Sequence, residues 1–319
     1  MTAVQVSQRQ WSLSELPLNS RNRLALQGEA AIPFTVLIGS AHSPAVAVIA
    51  GIHGDEYEGP AVIHELAATV NPGALRGSLL LVPVANPAAF ACATRRHPAD
   101  GADLNRAFPG NPEGSPTERL AYLIFQQFVL GNQFLISLHG WSKEATVLPY
   151  IEYPDADGRT SGISRAAAQA SGFPYVHPYR WPVGLMCAAA VREEIPAVEA
   201  EVGGLGSITP AGQRIYRDTI LRILAHAGLL ASVVDPAPAA VVIDHREMRA
   251  STAGLFRSTV ELGQRVVSGD EVGTISALSG QTLEVVRASR SGFLGLLRVL
   301  ASVQAGDLLA HIFFEREAE

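Results

Sequence analysis

The 319-residue sequence has little lysine: Lys143 stands alone among 24 basic residues, and the rest of the positive charge is arginine. With a formal net charge of −6, the chain lacks the clustered cationic surface that a nucleic acid demands. Cysteine is equally sparse. Cys92 and Cys187 are too few for a disulfide framework, fit a reducing compartment, and are expected to be small buried apolar residues. No stretch approaches the ~20 consecutive apolar residues of a membrane span, which argues against membrane association. The opening residues MTAVQVSQRQW have no charged segment followed by an apolar one, so no signal peptide is expected. These absences together predict a soluble cytoplasmic protein, and they leave room for a homo-oligomer.

What is present centres on IAGIHGDEYEGP, Ile49–Pro60. An apolar, β-rich run from Ala45 to Ala50 stops at Gly51, and His53 and Glu56 follow in an H-x-x-E spacing. An imidazole and a carboxylate three apart, on the turn leaving a strand, can reach one metal ion from the same side. Such nitrogen and oxygen donors suit Zn²⁺, which in catalytic sites usually keeps three protein ligands and one water. The pair alone is a weak signal; it needs a third ligand, a base and anion-binding groups.

The rest of the chain supplies candidates for all three. Strand-like segments over Arg23–Ala50, a helix over Ala61–Val70 and a strand over Gly77–Ala85 predict an α/β layer architecture. A long loop, Asn86–Pro116, is dense in Arg, Asp and Asn; loops of that length inside a domain are usually functional or disordered. Ser115-Pro-Thr-Glu118 reads as a capping box opening a helix that runs to about Leu130. QFLISL then forms a strand delivering His139 at its carboxyl end, the edge where open α/β sheets gather ligands. A strand is expected over Thr146–Tyr153, a short helix over Gly162–Ser171, and an aromatic, proline-rich loop over Pro174–Gly184 with Tyr175, His177, Tyr179 and Trp181. In the strand Ile195–Gly204, alternation puts Glu199 and Glu201 on one face. A long helix is expected over Pro210–Ala231.

The Pro-rich stretch at Asp235 divides a hydrolase-like region, 1–236, from a β-rich region, 237–319. In the latter, VELGQRVVSGDEVGTI and LRVLASVQAGDLLAHI share a Val–x₂–Gly-Asp–x–(Val/Leu) cadence, suggesting a small all-β barrel-sandwich like the lipoyl and biotinyl carrier domains. Those carriers modify a lysine, and this region has none. A role in packing, oligomerisation or covering the active-site mouth is expected instead.

Taken in order, HGDE at His53–Glu56, DLNRAFPG at Asp103–Gly110, His139 at a strand end and Glu201 in EVGG resemble the succinylglutamate desuccinylase/aspartoacylase family, cousins of the zinc carboxypeptidases. The segment HGDEYEG is similar to its N-acetyl-diaminobutyrate deacetylase-type subgroup. The resemblance implies a carboxypeptidase-like mixed sheet flanked by helices, one Zn²⁺ per chain held by His53, Glu56 and His139, and Glu201 as general base. It further implies that Asp103 orients His53, that Asn105 and Arg106 grip a substrate carboxylate, and that Arg95 polarises the scissile carbonyl. Arg96 competes for that last role, and Glu199 for the role of base. The implied reaction is hydrolysis of a small N-acyl amino acid. The alternatives are a metallocarboxypeptidase acting on short peptides and a catalytically silent small-ligand binder. Three positions depart from the family pattern: Ser137 where Asp is frequent, Glu199 where Thr is common, and Gly140-Trp141 where Ser-Gly is frequent. Trp141 is therefore expected to line the pocket and shift the acyl or amine preference.

Overall fold

The computed structural model describes residues 4–6, 11–28, 31–180, 184–231 and 239–316. Strands β1 (Val4–Val6), β2 (Ser20–Leu26), β3 (Ile32–Ile38) and β4 (Ala45–Ala50) lead to helix α1 (Glu58–Thr69) and strand β5 (Ser78–Val82). Helices α2 (Pro87–Ala91) and α3 (Pro116–Ile124) precede β6 (Phe134–His139) and β7 (Ala145–Pro154). Then come α4 (Arg159–Ala170), β8 (Tyr175–Tyr179), α5 (Met186–Arg192), β9 (Ala197–Gly204) and α6 (Pro210–His226).

Alternation along the strands builds two cores. Ala47, Ile49, Leu80, Val82 and Leu135 face one layer, under Phe125, Phe128, Met186 and Ala190. Val46, Val48, Leu79, Leu81 and Ile136 face the other, under α1, α4 and α6. Both faces are covered, which is why β4 reads as an unbroken apolar run rather than an alternating one. β4, β6 and β9 are parallel, so their carboxyl ends share one edge of the sheet. The capping box is formed: Glu118 N–H donates to Ser115 Oγ at 3.3 Å, and Ser115 N–H to Glu118 Oε2 at 2.8 Å.

The C-terminal region contributes β10 (Val241–Arg249), β11 (Gly254–Ser258), β12 (Arg265–Val266), β13 (Glu271–Ser276), β14 (Thr282–Arg287), β15 (Gly292–Arg298), β16 (Ser302–Val303) and β17 (Leu308–Glu315). The repeated cadence is a repeated turn. In each copy the glycine, Gly269 or Gly306, takes φ near +90° (96° and 90°), a conformation that costs glycine nothing. The following aspartate accepts from the backbone three residues back, Asp270 from Val267 N–H at 2.8 Å and Asp307 from Gln304 N–H at 2.9 Å.

One expectation needs correction. Residues 175–179 are strand, not loop: β8 lies parallel to β7 and β10 and is mostly buried, and Trp181 falls outside the described residues. Pro178 needs no ladder donor there, and Tyr and Val favour the pleated surface. The main sheet runs across both regions. β10, β15 and β17 continue the thirteen-stranded sheet, while β11, β13, β14 and β16 form a second, four-stranded one. β7–β8–β10–β17–β15 closes on itself through the β15–β7 pairing, making a five-stranded ring. The Pro-rich stretch itself lies mainly outside the described residues. Among the described residues no helix is long and apolar enough to cross a membrane.

Candidate metal centre and cleft

The turn after β4 carries His53 and Glu56 to the carboxyl edge of the sheet. Gly54 makes that turn possible by packing against α2: a Cβ there would lie 2.0 Å from the Ala89 carbonyl carbon. The last residue of β6, His139, arrives from the neighbouring strand. His53 Nδ1 and His139 Nδ1 face each other at 3.3 Å, with Glu56 spanning them at 2.7 Å (Oε1 to His53) and 3.0 Å (Oε2 to His139). All three side chains are buried, with exposures of 2%, 4% and 1% for His53, Glu56 and His139.

The outer ring nitrogens fix which atoms face inward. His53 Nε2–H donates to Asp103 Oδ1 at 3.1 Å, leaving the Nδ1 lone pair directed at the cluster. His139 Nε2 lies 2.9 Å from Ser137 Oγ and 3.8 Å from Glu199 Oε2. Two converging imidazole nitrogens and a carboxylate, all buried, demand positive charge between them. Burial disfavours charge on His139, yet Glu199 and Glu56 outweigh it and push the imidazole up to about 10. Burial also opposes ionisation of Glu56, but His53 and His139 hold it far below the usual carboxylate range. The donor set, His₂Glu with outer partners Asp103 and Ser137, fits a divalent cation of zinc's chemistry. His53, Glu56 and His139 thus form a group able to hold a metal ion.

Around this cluster the other predicted residues fall into distinct places. Glu201 pairs in register with His139 and is 7% exposed, and its Oε2 has no hydrogen-bond partner. Burial raises its pKa well above the ordinary value; His139 acts against this, while Glu56, Glu199 and Glu152 add to it. Glu199 pairs in register with Ser137 and accepts from Asn105 Nδ2 at 3.4 Å, so it stands behind His139. Arg95 bridges the cluster, donating from Nη1 to Glu56 at 3.2 Å and from Nε to Asp103 Oδ2 at 3.2 Å. Arg96 donates to the Gly101 carbonyl at 3.1 Å and also lines the cleft described below. Asn105 is drawn inward, its amide held by Glu199 and its Oδ1 accepting from Met186 N–H at 3.0 Å. Arg106 donates to the Asn105 carbonyl at 2.8 Å and lines the cleft. Of the cysteines, Cys187 is buried as expected and Cys92 is exposed.

The cleft has a volume of about 740 Å³ and is lined by Arg95, Asp103, Arg106 and Trp141 together with Glu247 and Arg249 from β10. The C-terminal region therefore contributes part of the cleft wall. Sequence reasoning did not single out Glu247 or Arg249; their charge alternation on β10 carried no signal without the ring that brings β10 to the cleft.

The chain is similar to known proteins over most of its length. Residues 42–227 match the family model of the succinylglutamate desuccinylase/aspartoacylase catalytic domain. The N-alpha-acetyl-L-2,4-diaminobutyric acid deacetylase of Halomonas elongata is 29% identical over 310 residues, covering 93% of this chain and 89% of that protein. The product-bound ectoine utilization protein EutE (DoeB) of Ruegeria pomeroyi superposes with a TM-score of 0.84 at 27% identity, over 92% of this chain and 93% of that one. A succinylglutamate desuccinylase from Silicibacter sp. TM1040 gives 0.85 at 27% identity, over 94% and 97%. With the matched model spanning more than half of its length, the chain belongs to the succinylglutamate desuccinylase/aspartoacylase family.

Proposed function

We propose that this protein is a zinc-dependent deacylase that hydrolyses the amide bond of a small N-acyl amino acid. The observation that carries the reading is the pair of inward-facing imidazole nitrogens at 3.3 Å, spanned by Glu56 and flanked by the unpartnered carboxyl of Glu201. His53, Glu56 and His139 would hold the zinc, which would supply Lewis acidity toward the scissile carbonyl and toward water.

The chain's own side chains do the rest. Glu201 is the general base: it takes a proton from the attacking water and passes it to the departing amine. Arg95, anchored on Glu56 and Asp103, aims a fixed cation at the scissile carbonyl, where charge develops in the transition state; losing such a donor typically costs ~3 kcal/mol. Arg106 at the cleft wall holds the substrate carboxylate. Asn105 supports the site from beneath by holding Glu199. The family relatives include a deacetylase of an N-acetylated diamino acid, which favours an N-acyl amino acid over a peptide.

The test is hydrolysis of N-acetyl-diaminobutyrate, N-acetyl-aspartate and N-succinyl-glutamate, before and after metal chelation. Activity on at least one, abolished by chelation and lowered about 10²–10⁴-fold by Glu201→Gln, is expected. Full activity in that variant, or none on any amide, overturns the assignment.

A further inference from the structure

The five-stranded ring has an unusual interior. Small closed sheets are ordinarily filled with apolar side chains, as Tyr150, Ile243, Leu296 and Phe313 do here. Yet Glu152, His177, His245 and His311 also stand along its inner wall, and neither the family resemblance nor the proposed chemistry uses them. His177 is 5% exposed and lies on β8; Glu152 is its register partner on β7. His177 Nδ1–H donates to Glu152 Oε1 at 2.7 Å. That bond fixes the tautomer and leaves the Nε2 lone pair pointing away, toward β10. There it meets Asp244 Oδ1 at 3.6 Å, too long for a hydrogen bond. The His245 ring lies beside it, centroids 4.7 Å apart and planes inclined at 65°, and His245 Nδ1 is buried with no partner. One donor atom from each of His177, Asp244 and His245 lies within 4.8 Å of the others.

From this geometry we infer a second divalent-cation site, formed by His177 Nε2, Asp244 Oδ1 and a ring nitrogen of His245, with Glu152 as the carboxylate that orients His177. Two imidazoles and one carboxylate select a borderline ion such as Zn²⁺, Co²⁺ or Ni²⁺ over Mg²⁺ or Ca²⁺. The carboxylate–imidazole pairing repeats the Asp103–His53 arrangement of the first cluster. Glu152 and Asp244 bring two negative charges, against the one positive charge of Arg316, which also acts on His177. With the Asp244 side chain 49% exposed, the site opens to solvent and a water can complete the coordination. Its ligands come from β8 and β10, so an ion there clamps the catalytic segment to the C-terminal one. The neighbouring trio His245, Glu247 and His311 is a poorer candidate. Its two rings are stacked with planes only 15° apart, so their in-plane lone pairs do not converge.

The experiment is calorimetric titration of the full-length, metal-stripped protein with ZnCl₂, together with metal analysis of the reloaded protein. Two equivalents are expected for the parent. Asp244→Asn, at an exposed position that tolerates the change, and His245→Gln should each weaken the second equivalent at least tenfold. Glu152→Gln should weaken it about 10–100-fold, the usual cost of losing an orienting carboxylate. His53→Ala removes the other equivalent and leaves this one, so failure of the two sites is distinguishable. A parent that takes up one equivalent means that His177 is simply protonated between two carboxylates, and the inference falls. It falls equally if either Asp244→Asn or His245→Gln keeps the second equivalent at parental affinity.

Discussion

Glu199 and Ser137 face each other across β6 and β9, and both reach the outer nitrogen of His139. The family pattern often has a carboxylate at position 137; here the carboxylate sits on the adjacent strand, behind a serine. Exchanging them tests whether they form one functional unit. Glu199→Thr removes a charge 3.8 Å from Nε2 while leaving Ser137 at 2.9 Å, so the loss falls at the low end of the outer-partner range. That is about tenfold in metal affinity, or ~1.4 kcal/mol. The Asn105 bonds released are long, 3.4 Å, and add little. Ser137→Asp alone puts a new carboxylate beside Glu199 at a position with 0% exposure, which should lower the thermal midpoint sharply. The double variant combines the new carboxylate with the space that truncating Glu199 leaves. It should bind metal within about threefold of the parent, a recovery of at least ~0.7 kcal/mol relative to Glu199→Thr alone. Affinities come from competition against a chelating dye for the parent, both single variants and the double variant. Additive losses, with the double variant no better than Glu199→Thr, refute the idea that the two positions share one task.

Trp141 packs its ring edge-to-face on His311 at 5.3 Å and borders the cleft, so Trp141→Gly should reorder turnover across a panel of N-acyl amino acids; an unchanged order counts against its role in selectivity. Ser115→Ala deletes the acceptor for Glu118 N–H and should cost ~1 kcal/mol of stability, read as a lower denaturant midpoint with unchanged slope. Asp100 is held down to about 2: burial works the other way, but hydrogen bonds from the Thr117 hydroxyl and backbone prevail. Because its folded pKa is depressed, this contribution is complete above about 4, the unfolded value, and is lost as pH falls toward 2. Asp100→Asn should therefore show a shallower fall in thermal midpoint between pH 5 and 2.5 than the parent; parallel curves contradict the assignment.

Much of the centre was legible because it depends on short-range rules. His53 and Glu56 follow a strand that stops at a glycine, and His139 ends a strand; parallel strands then bring such ends together. The capping box was legible for the same reason. The α2 helix, opened by Asn86 with its side chain accepting from Ala89 N–H, carried an Asn-Pro signal that a loop reading passes over. Alternation put Glu199 and Glu201 on one face but could not separate them. Only the pairing of β9 with β6 assigns Glu199 to Ser137 and Glu201 to His139. The ring escaped because the β7–β15 pairing joins residues about 150 positions apart, as in Val147 with Leu296. No local pattern encodes that.

That ring also imposes an order on biosynthesis. Until residues 308–315 have left the ribosome, β10 and β15 lack the strand that joins them, and the inner faces of β7 and β8 stay open to water. Tyr150, the register neighbour of Glu201, lies on one of those faces. A nascent chain halted near residue 236 would thus hold His53, Glu56 and His139 but not the strands that complete the ring beside Tyr150. The β17 pairings with β10 and β15 are thus what close the ring beside the cluster.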